Sequence, residues 1–317
     1  MFDSNKGINV RGYNRGVFFK EQVITLVKVL QPSEIIFILY ILLTGIYISI
    51  FHAGLNGYYQ HLLIRLGFVA VVAINFFVEK KYPKEAVGFF RQFFPIAASG
   101  LYFYTETGFL NTMIFPHHLD PYLIQLEYSL FGCMPSDIFC VKFPHKWFNE
   151  LLNFGYFSYF FIILIPLFIS YFMKKKFSHE ATFIALFSLL SFYLLFIIFP
   201  TAGPQFHYPD LTFMQNHIPD AYIFRYLVKQ IQDFGETTTG AFPSSHVGVT
   251  LTMLYVTFKF SRRMFFVILP ISILLFFSTV YIRAHYFVDV IGGIIFGVMF
   301  IMLANRLYQF VRKVQKT

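Results

Sequence analysis

Residues 264–303 read MFFVILPISILLFFSTVYIRAHYFVDVIGGIIFGVMFIML, and this stretch decides the fold. Two apolar runs of about 20 residues each flank a polar corner holding Arg283 and His285. A helix rises about 1.5 Å per residue, so a run of that length spans a hydrocarbon layer about 30 Å thick. Working outward, similar runs occur at about 35–54, 61–79, 88–109, 149–173, 179–199 and 244–260. With about 264–282 and 286–309 they make about eight spans. The third is the most polar and contains Arg91, Gln92, Pro95 and Glu106.

The composition agrees. Hydrophobic residues make up 57% of the chain and charged residues 13%, with a mean hydropathy of +0.61. A soluble domain carries about a quarter charged residues. The runs are too long, and alternate too little, for barrel strands. The expected fold class is therefore all-α, a polytopic membrane helical bundle. The first apolar run begins near Glu34, after a polar, basic leader, so no cleavable signal peptide is expected. The simplest partition is 1–84, a leader with two accessory spans, and 85–317, a six-helix catalytic membrane domain.

The net charge of +9 is not a nucleic-acid footprint. The basic residues sit in the leader (Lys6, Arg11, Arg15, Lys20, Lys28), in alternate connections (Lys80, Lys81, Lys84; Lys174, Lys175, Lys176; Lys259, Arg262, Arg263) and in the tail (Arg306, Arg312, Lys313, Lys316). The positive-inside rule places all of these in the cytoplasm, so both termini are expected there. The 110–148 and 200–243 connections and the 283–285 corner then lie outside. Ser244, Ser245, His246, His285 and Asp289, distant in sequence, are expected at one extracytoplasmic face.

These residue types suit phosphoryl transfer. Neutral imidazole at His285 can attack phosphorus, and Asp289, four residues on, can orient the ring. His246 can protonate the leaving oxygen and then serve as base. Pro243 before Ser244 marks a helix start, where free N–H groups and the Ser244 and Ser245 hydroxyls can hold phosphoryl oxygens. Arg283 can add positive charge. Each residue also has a plainer reading: Ser244 as a helix cap, Asp289 as a buried partner of Arg283. His117, His118, His207 and His217 show no partner pattern and are expected at the surface.

No compact ligand pair suggests a metal, and neither a metal nor a cofactor is expected. Glu106 is a candidate for a polar headgroup. Gly293 and Gly297 are spaced for close helix packing. Residues 119–131 have helical apolar spacing; they are expected to lie along the interface, as a lid or support or, the plainer reading, as a loop helix with no catalytic role. Cys133 and Cys140 share the long outer connection, and their spacing leaves disulfide and free thiols equally open.

Pro243-Ser-Ser-His246 with His285-x-x-x-Asp289 resembles the type 2 phosphatidic acid phosphatase superfamily over about 165–310. The resemblance implies His285 as nucleophile, Asp289 as its orienter, His246 as acid and a six-helix core. The chain lacks the Arg-Pro dipeptide of the phosphatase branch and has Thr279 where that branch carries arginine. Phe199-Pro-Thr-Ala-Gly-Pro, Gly240-Ala-Phe-Pro-Ser-Ser-His-Val-Gly248 and Ser278-Thr-Val-Tyr-Ile-Arg-Ala-His-Tyr-Phe-Val-Asp289 are similar to inositol phosphorylceramide synthase. That similarity implies transfer of a phospho-headgroup, phosphoinositol, from a phospholipid donor to a ceramide-like lipid through a phosphohistidine. A lipid phosphate or polyprenyl diphosphate phosphatase is the alternative. A proton-coupled transporter is more distant, because the polar residues crowd one half and one face.

Overall fold

A computed structural model describes residues 15–207, 222–235 and 238–317. Lys6, Arg11 and His217 lie outside the described residues. Among the described residues the regular structure is all helical, with no strands. The elements are α1 (Arg15–Val29), α2 (Pro32–Phe51), α3 (Tyr58–Lys81), α4 (Glu85–Ala98), α5 (Tyr104–Leu110), α6 (Asp120–Phe131), α7 (Pro135–Lys142) and α8 (Lys146–Phe157). They continue with α9 (Tyr159–Met173), α10 (Lys175–Ile198), α11 (Pro204–His207), α12 (Ile223–Gly235), α13 (Ser245–Phe260), α14 (Arg262–Tyr281) and α15 (Phe287–Lys316).

Five described helices are long and apolar enough to cross a membrane: Pro32–Gly54, Tyr58–Lys81, Lys175–Ile198, Arg262–Tyr281 and Phe287–Lys316. The pair α8 and α9, bent by 40° at Ser158, makes a sixth if taken as one span. Of the eight expected runs, five or six therefore meet this test of length and apolar character among the described residues. Helix α13 has only 16 residues, about 24 Å, shorter than the hydrocarbon core. The stretch from α4 to α5, joined by a π-helical turn over Ser99–Phe103, carries buried charges.

Those charges explain how so polar a stretch enters an apolar bundle. A buried ion costs less when a partner is built beside it. Arg91 on α4 makes a two-bond pair with Glu34 on α2, both bonds 2.7 Å, and a third bond of 2.6 Å to Glu79 on α3. Gln92 donates to Ser178 and Thr182 on α10. Glu106 on α5 takes two bonds from Arg65 on α3, 2.6 and 2.7 Å, one of 2.7 Å from His61 and one of 3.1 Å from the Tyr102 hydroxyl. Arg65 also reaches Thr44 on α2 at 3.0 Å. Glu106 is thus committed to tying helices together, with 1% exposure, and is not presented to a headgroup.

Helix α10 is central. Phe183, Ile184, Leu186, Phe192 and Phe196 pack with Phe37 and Tyr40 of α2, Met253 of α13 and Phe300 of α15 in one core. Helices α13 and α15 cross at glycines, as their spacing predicts. A methyl group added to Gly297 would lie 2.9 Å from the Gly248 Cα, and one on Gly293 would lie 2.5 Å from the Ser244 carbonyl oxygen. Only hydrogen at these positions lets the backbones approach so closely.

The bundle has two chemically distinct ends. One end gathers Lys175 with Glu85, Lys259 with Glu180, and Gln315 with the Val27 and Leu30 carbonyls. The other brings together the start of α13, the α14–α15 corner, the turn after α10, and α6. Leu119 N–H bonds to the Pro200 carbonyl (2.7 Å), Ala241 N–H to the Thr201 carbonyl (3.3 Å) and Ser244 N–H to the Asp289 carbonyl (3.0 Å).

Candidate active site

Three loop segments build this second end. After α14 the chain reverses sharply: Arg283 adopts a left-handed conformation (φ 63°), and His285 N–H returns to the Thr279 carbonyl at 3.0 Å. The left-handed region costs a non-glycine residue about 1 kcal/mol, so the surrounding bonds must hold it. Gln205 N–H on α11 supplies one of them, to the Arg283 carbonyl (3.1 Å). Gly203, with φ at 91°, lets the 200–204 turn lie against this corner; a methyl there would meet the Ala284 carbonyl oxygen at 2.9 Å.

The two histidines meet. His246 Nδ1 lies 3.1 Å from His285 Nε2. The other His285 nitrogen, Nδ1, is 2.8 Å from the Ala241 carbonyl oxygen. A carbonyl can only accept, so Nδ1 carries the proton and donates it. In neutral His285 the Nε2 lone pair is then free to accept from His246 Nδ1–H. His285 is 3% exposed. His246 is half-buried between two rings, Tyr156 at 4.8 Å and Tyr159 at 4.4 Å between centroids. These tyrosines sit either side of the bend at Ser158, which turns both onto the same imidazole.

Asp289 is fully buried, with Oδ2 3.5 Å from His285 Nδ1. Its shorter bond, 2.8 Å, accepts Tyr286 N–H at the start of α15. The direct partner of the ring is therefore the Ala241 carbonyl, and the carboxylate stands behind it. Sequence reasoning missed this because a backbone acceptor has no residue signature.

Ser244 is fully buried and caps α13, accepting Val247 N–H at 3.4 Å. Ser245 lies beside the Tyr159 hydroxyl. Arg283, 1% exposed, pairs with Asp137 on α7 at 3.1 Å. Burial raises the Asp137 carboxyl above its ordinary range, opposed by the Arg283 charge. The structure thus unites His246, His285 and Asp289 directly. Ser244 and Ser245 flank them through helix and tyrosine contacts, and Arg283 is locked into the same corner. Cys133 and Cys140 are free thiols, with Cys140 Sγ directed at the Asp137 carbonyl (3.2 Å). Among the described residues no three His, Cys, Asp or Glu side chains converge as metal ligands.

Helix α6 covers this end and contributes two side chains the sequence did not single out. Asp120 and Glu127 are both fully buried. Their signal was present: two carboxylates seven apart in an otherwise apolar helix share one face. Glu127 Oε1 accepts Val288 N–H at 3.0 Å, on the first turn of α15. Burial pushes its carboxyl up to about 7 from the ordinary 4.5; the Val288 and Phe287 N–H groups oppose this, and the Asp289 and Asp137 charges add to it. The folded chain holds this proton more tightly than the unfolded chain. Its stabilising contribution is complete below about 4.5, falls as pH rises, and is gone above about 7. Glu127→Gln should therefore flatten the pH dependence of unfolding across that window. Thermal melts of wild type and variant in detergent check this; parallel curves would refute it.

A family model described as the PAP2 superfamily matches residues 121–303, more than half of the chain and the part that includes both histidines, Asp289 and Glu127. No curated protein and no solved structure matches. With the histidine pair, its buried carboxylate and the matched span in agreement, the chain belongs to the PAP2 superfamily.

Proposed function

We propose that this protein transfers a phospho-headgroup from a phospholipid to a lipid hydroxyl, through a phosphohistidine at His285. Superfamily membership carries phosphatase- or phosphotransferase-type activity on phosphoesters. The observation that supports His285 as nucleophile is its hydrogen bonding. Nδ1 is committed to the Ala241 carbonyl, which leaves the Nε2 lone pair for phosphorus, with His246 3.1 Å away as the proton donor.

At 3.1 Å the rings leave no room for a phosphoryl group, so substrate replaces their mutual hydrogen bond and parts them. Nε2 attacks in line, the P–O bond to diacylglycerol breaks, and His246 protonates the departing oxygen. The acceptor hydroxyl then gives its proton to His246 as its oxygen attacks phosphorus, which frees His285. Arg283, exchanging Asp137 for phosphoryl oxygen, supplies positive charge, and Ser244 and Ser245 sit at the α13 N-terminus facing the same group. Asp289 stabilises the charge that develops on the ring.

Transfer rather than hydrolysis is supported by the enclosure of the site: His285, Ser244, Ser245 and Asp289 are all buried. Excluding water favours a lipid hydroxyl as acceptor. The absence of Arg-Pro and the Thr279 substitution point the same way, toward phosphoinositol as headgroup and a ceramide-like acceptor. Lys175 and Lys259 lie at the opposite end of the bundle from the histidines, which under the positive-inside rule supports cytoplasmic termini and histidines at the extracytoplasmic face.

Purified protein given labelled phosphatidylinositol and ceramide tests the reading. Headgroup-bearing ceramide is the expected product. Free phosphate or inositol phosphate alone would replace transfer with hydrolysis.

A further inference from the structure

Helix α6 delivers to the histidine corner a carboxylate that the chemistry above does not use. Asp120 is fully buried, although the opposite face of its helix is exposed at Tyr122 and Leu126. A charged side chain is rarely buried so completely unless its partners are built around it. Asp120 has three. Oδ2 accepts Ala202 N–H at 2.8 Å; Oδ1 accepts Gly203 N–H at 2.8 Å and the Tyr286 hydroxyl at 3.0 Å.

These partners lead to His285 from two directions. Tyr286 follows His285 directly in the chain. Ala202 and Gly203 belong to the turn after α10, whose Thr201 accepts Ala241 N–H on its carbonyl (3.3 Å) and Phe242 N–H on its hydroxyl (2.7 Å). Ala241 is the residue whose carbonyl accepts the hydrogen bond from His285 Nδ1–H. One carboxylate therefore grips the residue beside the imidazole and, through a single turn, the carbonyl that fixes the imidazole's proton.

We propose that Asp120 is a positioning residue for phosphoryl transfer: by joining Tyr286 to the Ala202–Gly203 turn, it holds the Ala241 carbonyl against His285 Nδ1 and keeps Nε2 unprotonated and aimed at phosphorus. The proposal rests on the reading of His285 as nucleophile. Its physical basis is tautomerism. A neutral imidazole carries one proton on either nitrogen, and only the Nδ1–H form leaves Nε2 nucleophilic. If the carbonyl drifts, the Nε2–H form is populated and the attacking lone pair is lost. Glu127 assists from two turns along α6, by holding Val288 at the start of α15.

Asp120→Asn is the test. It keeps shape and one oxygen but faces the N–H and O–H donors with an amide that must donate. In purified full-length protein assayed in micelles with labelled phosphatidate, and with phosphatidylinositol plus ceramide, kcat should fall about 10²-fold, within the range for losing a proton-holding group. KM should stay within about threefold, because ground-state binding is untouched. ¹⁵N spectra of histidine-labelled protein should show His285 moving from one tautomer to a mixture.

Tyr286→Phe removes a single donor; it should cost about tenfold in kcat and add little to Asp120→Asn, since both act through one unit. If Asp120→Asn does not fold, Tyr286→Phe and its His285 tautomer decide alone. Wild-type kcat in the folded variant would overturn the proposal, as would a loss of activity with the His285 tautomer unchanged, which is merely structural support. His285→Asn separates the two levels. Activity in His285→Asn refutes the nucleophile reading itself; an inactive His285→Asn beside a fully active Asp120→Asn refutes only the positioning role.

Discussion

His285→Asn should reduce turnover by about 10⁴-fold or more, the scale of loss seen when a covalent nucleophile is removed, while leaving the fold intact. The choice of asparagine follows from the geometry. Its amide nitrogen falls near the position of Nδ1 and can still donate to the Ala241 carbonyl, so the 2.8 Å bond that anchors the corner survives. What disappears is Nε2. His246→Asn should behave differently. It removes the proton donor, worth about 10²–10⁴ with a lipid leaving group, but the loss should shrink with a nitrophenyl phosphodiester, whose departing oxygen needs no proton. The His285→Asn loss should not shrink. Kinetics of both variants on both substrates, with melting curves, check the assignment. Equal rescue of the two variants by the activated substrate would remove His285 from the nucleophile's role.

The second large effect lies away from the chemistry. Glu106→Leu should destabilise the protein by about 3–5 kcal/mol, because it leaves the Arg65 guanidinium buried without its carboxylate. The two side chains are 1% and 4% exposed, so the orphaned charge would stay out of solvent's reach. Arg65→Met alone should cost a similar amount, for the mirrored reason. The double variant Arg65→Met with Glu106→Leu should regain most of the loss, since an apolar pair of similar volume has no charge to desolvate. Unfolding in graded denaturing detergent, read as a double-mutant cycle, measures the coupling. Additive losses would mean that the pair is not electrostatically linked. Because the network joins α2, α3 and α5 and stops short of the histidine corner, the double variant should keep wild-type kcat.

The fold class was legible because hydrocarbon is an unforgiving solvent. A segment that crosses it must satisfy its backbone internally and present apolar side chains, and both requirements leave long runs in the sequence. The run at 264–282 matches α14 to within two residues, and the run at 286–309 begins within one residue of α15, which continues past it to Lys316. The span count was less legible. Helix α13, only 16 residues long, sits in the core among protein neighbours, so its apolar character reflects burial in the bundle. The third run is the most polar, and a sequence cannot show that Arg91 will meet Glu34 and Glu79, or Glu106 meet Arg65 and His61.

The chemistry divides in the same way. His246, His285 and Asp289 were readable because ionisable side chains at the mouths of apolar runs are costly, and because charge alternation put those mouths on one face. The sequence alone determined the all-helical membrane class, the superfamily and the two histidines, since each depends on residue type and short spacing. Only the tertiary structure decided that the Ala241 carbonyl, nearer than Asp289, accepts the hydrogen bond from His285 Nδ1–H. It alone drew Arg283 to Asp137 and brought Asp120 and Glu127 beneath the corner. Those contacts join backbone atoms and side chains up to 166 positions apart, and hydrogen bonds over such separations are fixed by how helices pack, which no local pattern encodes.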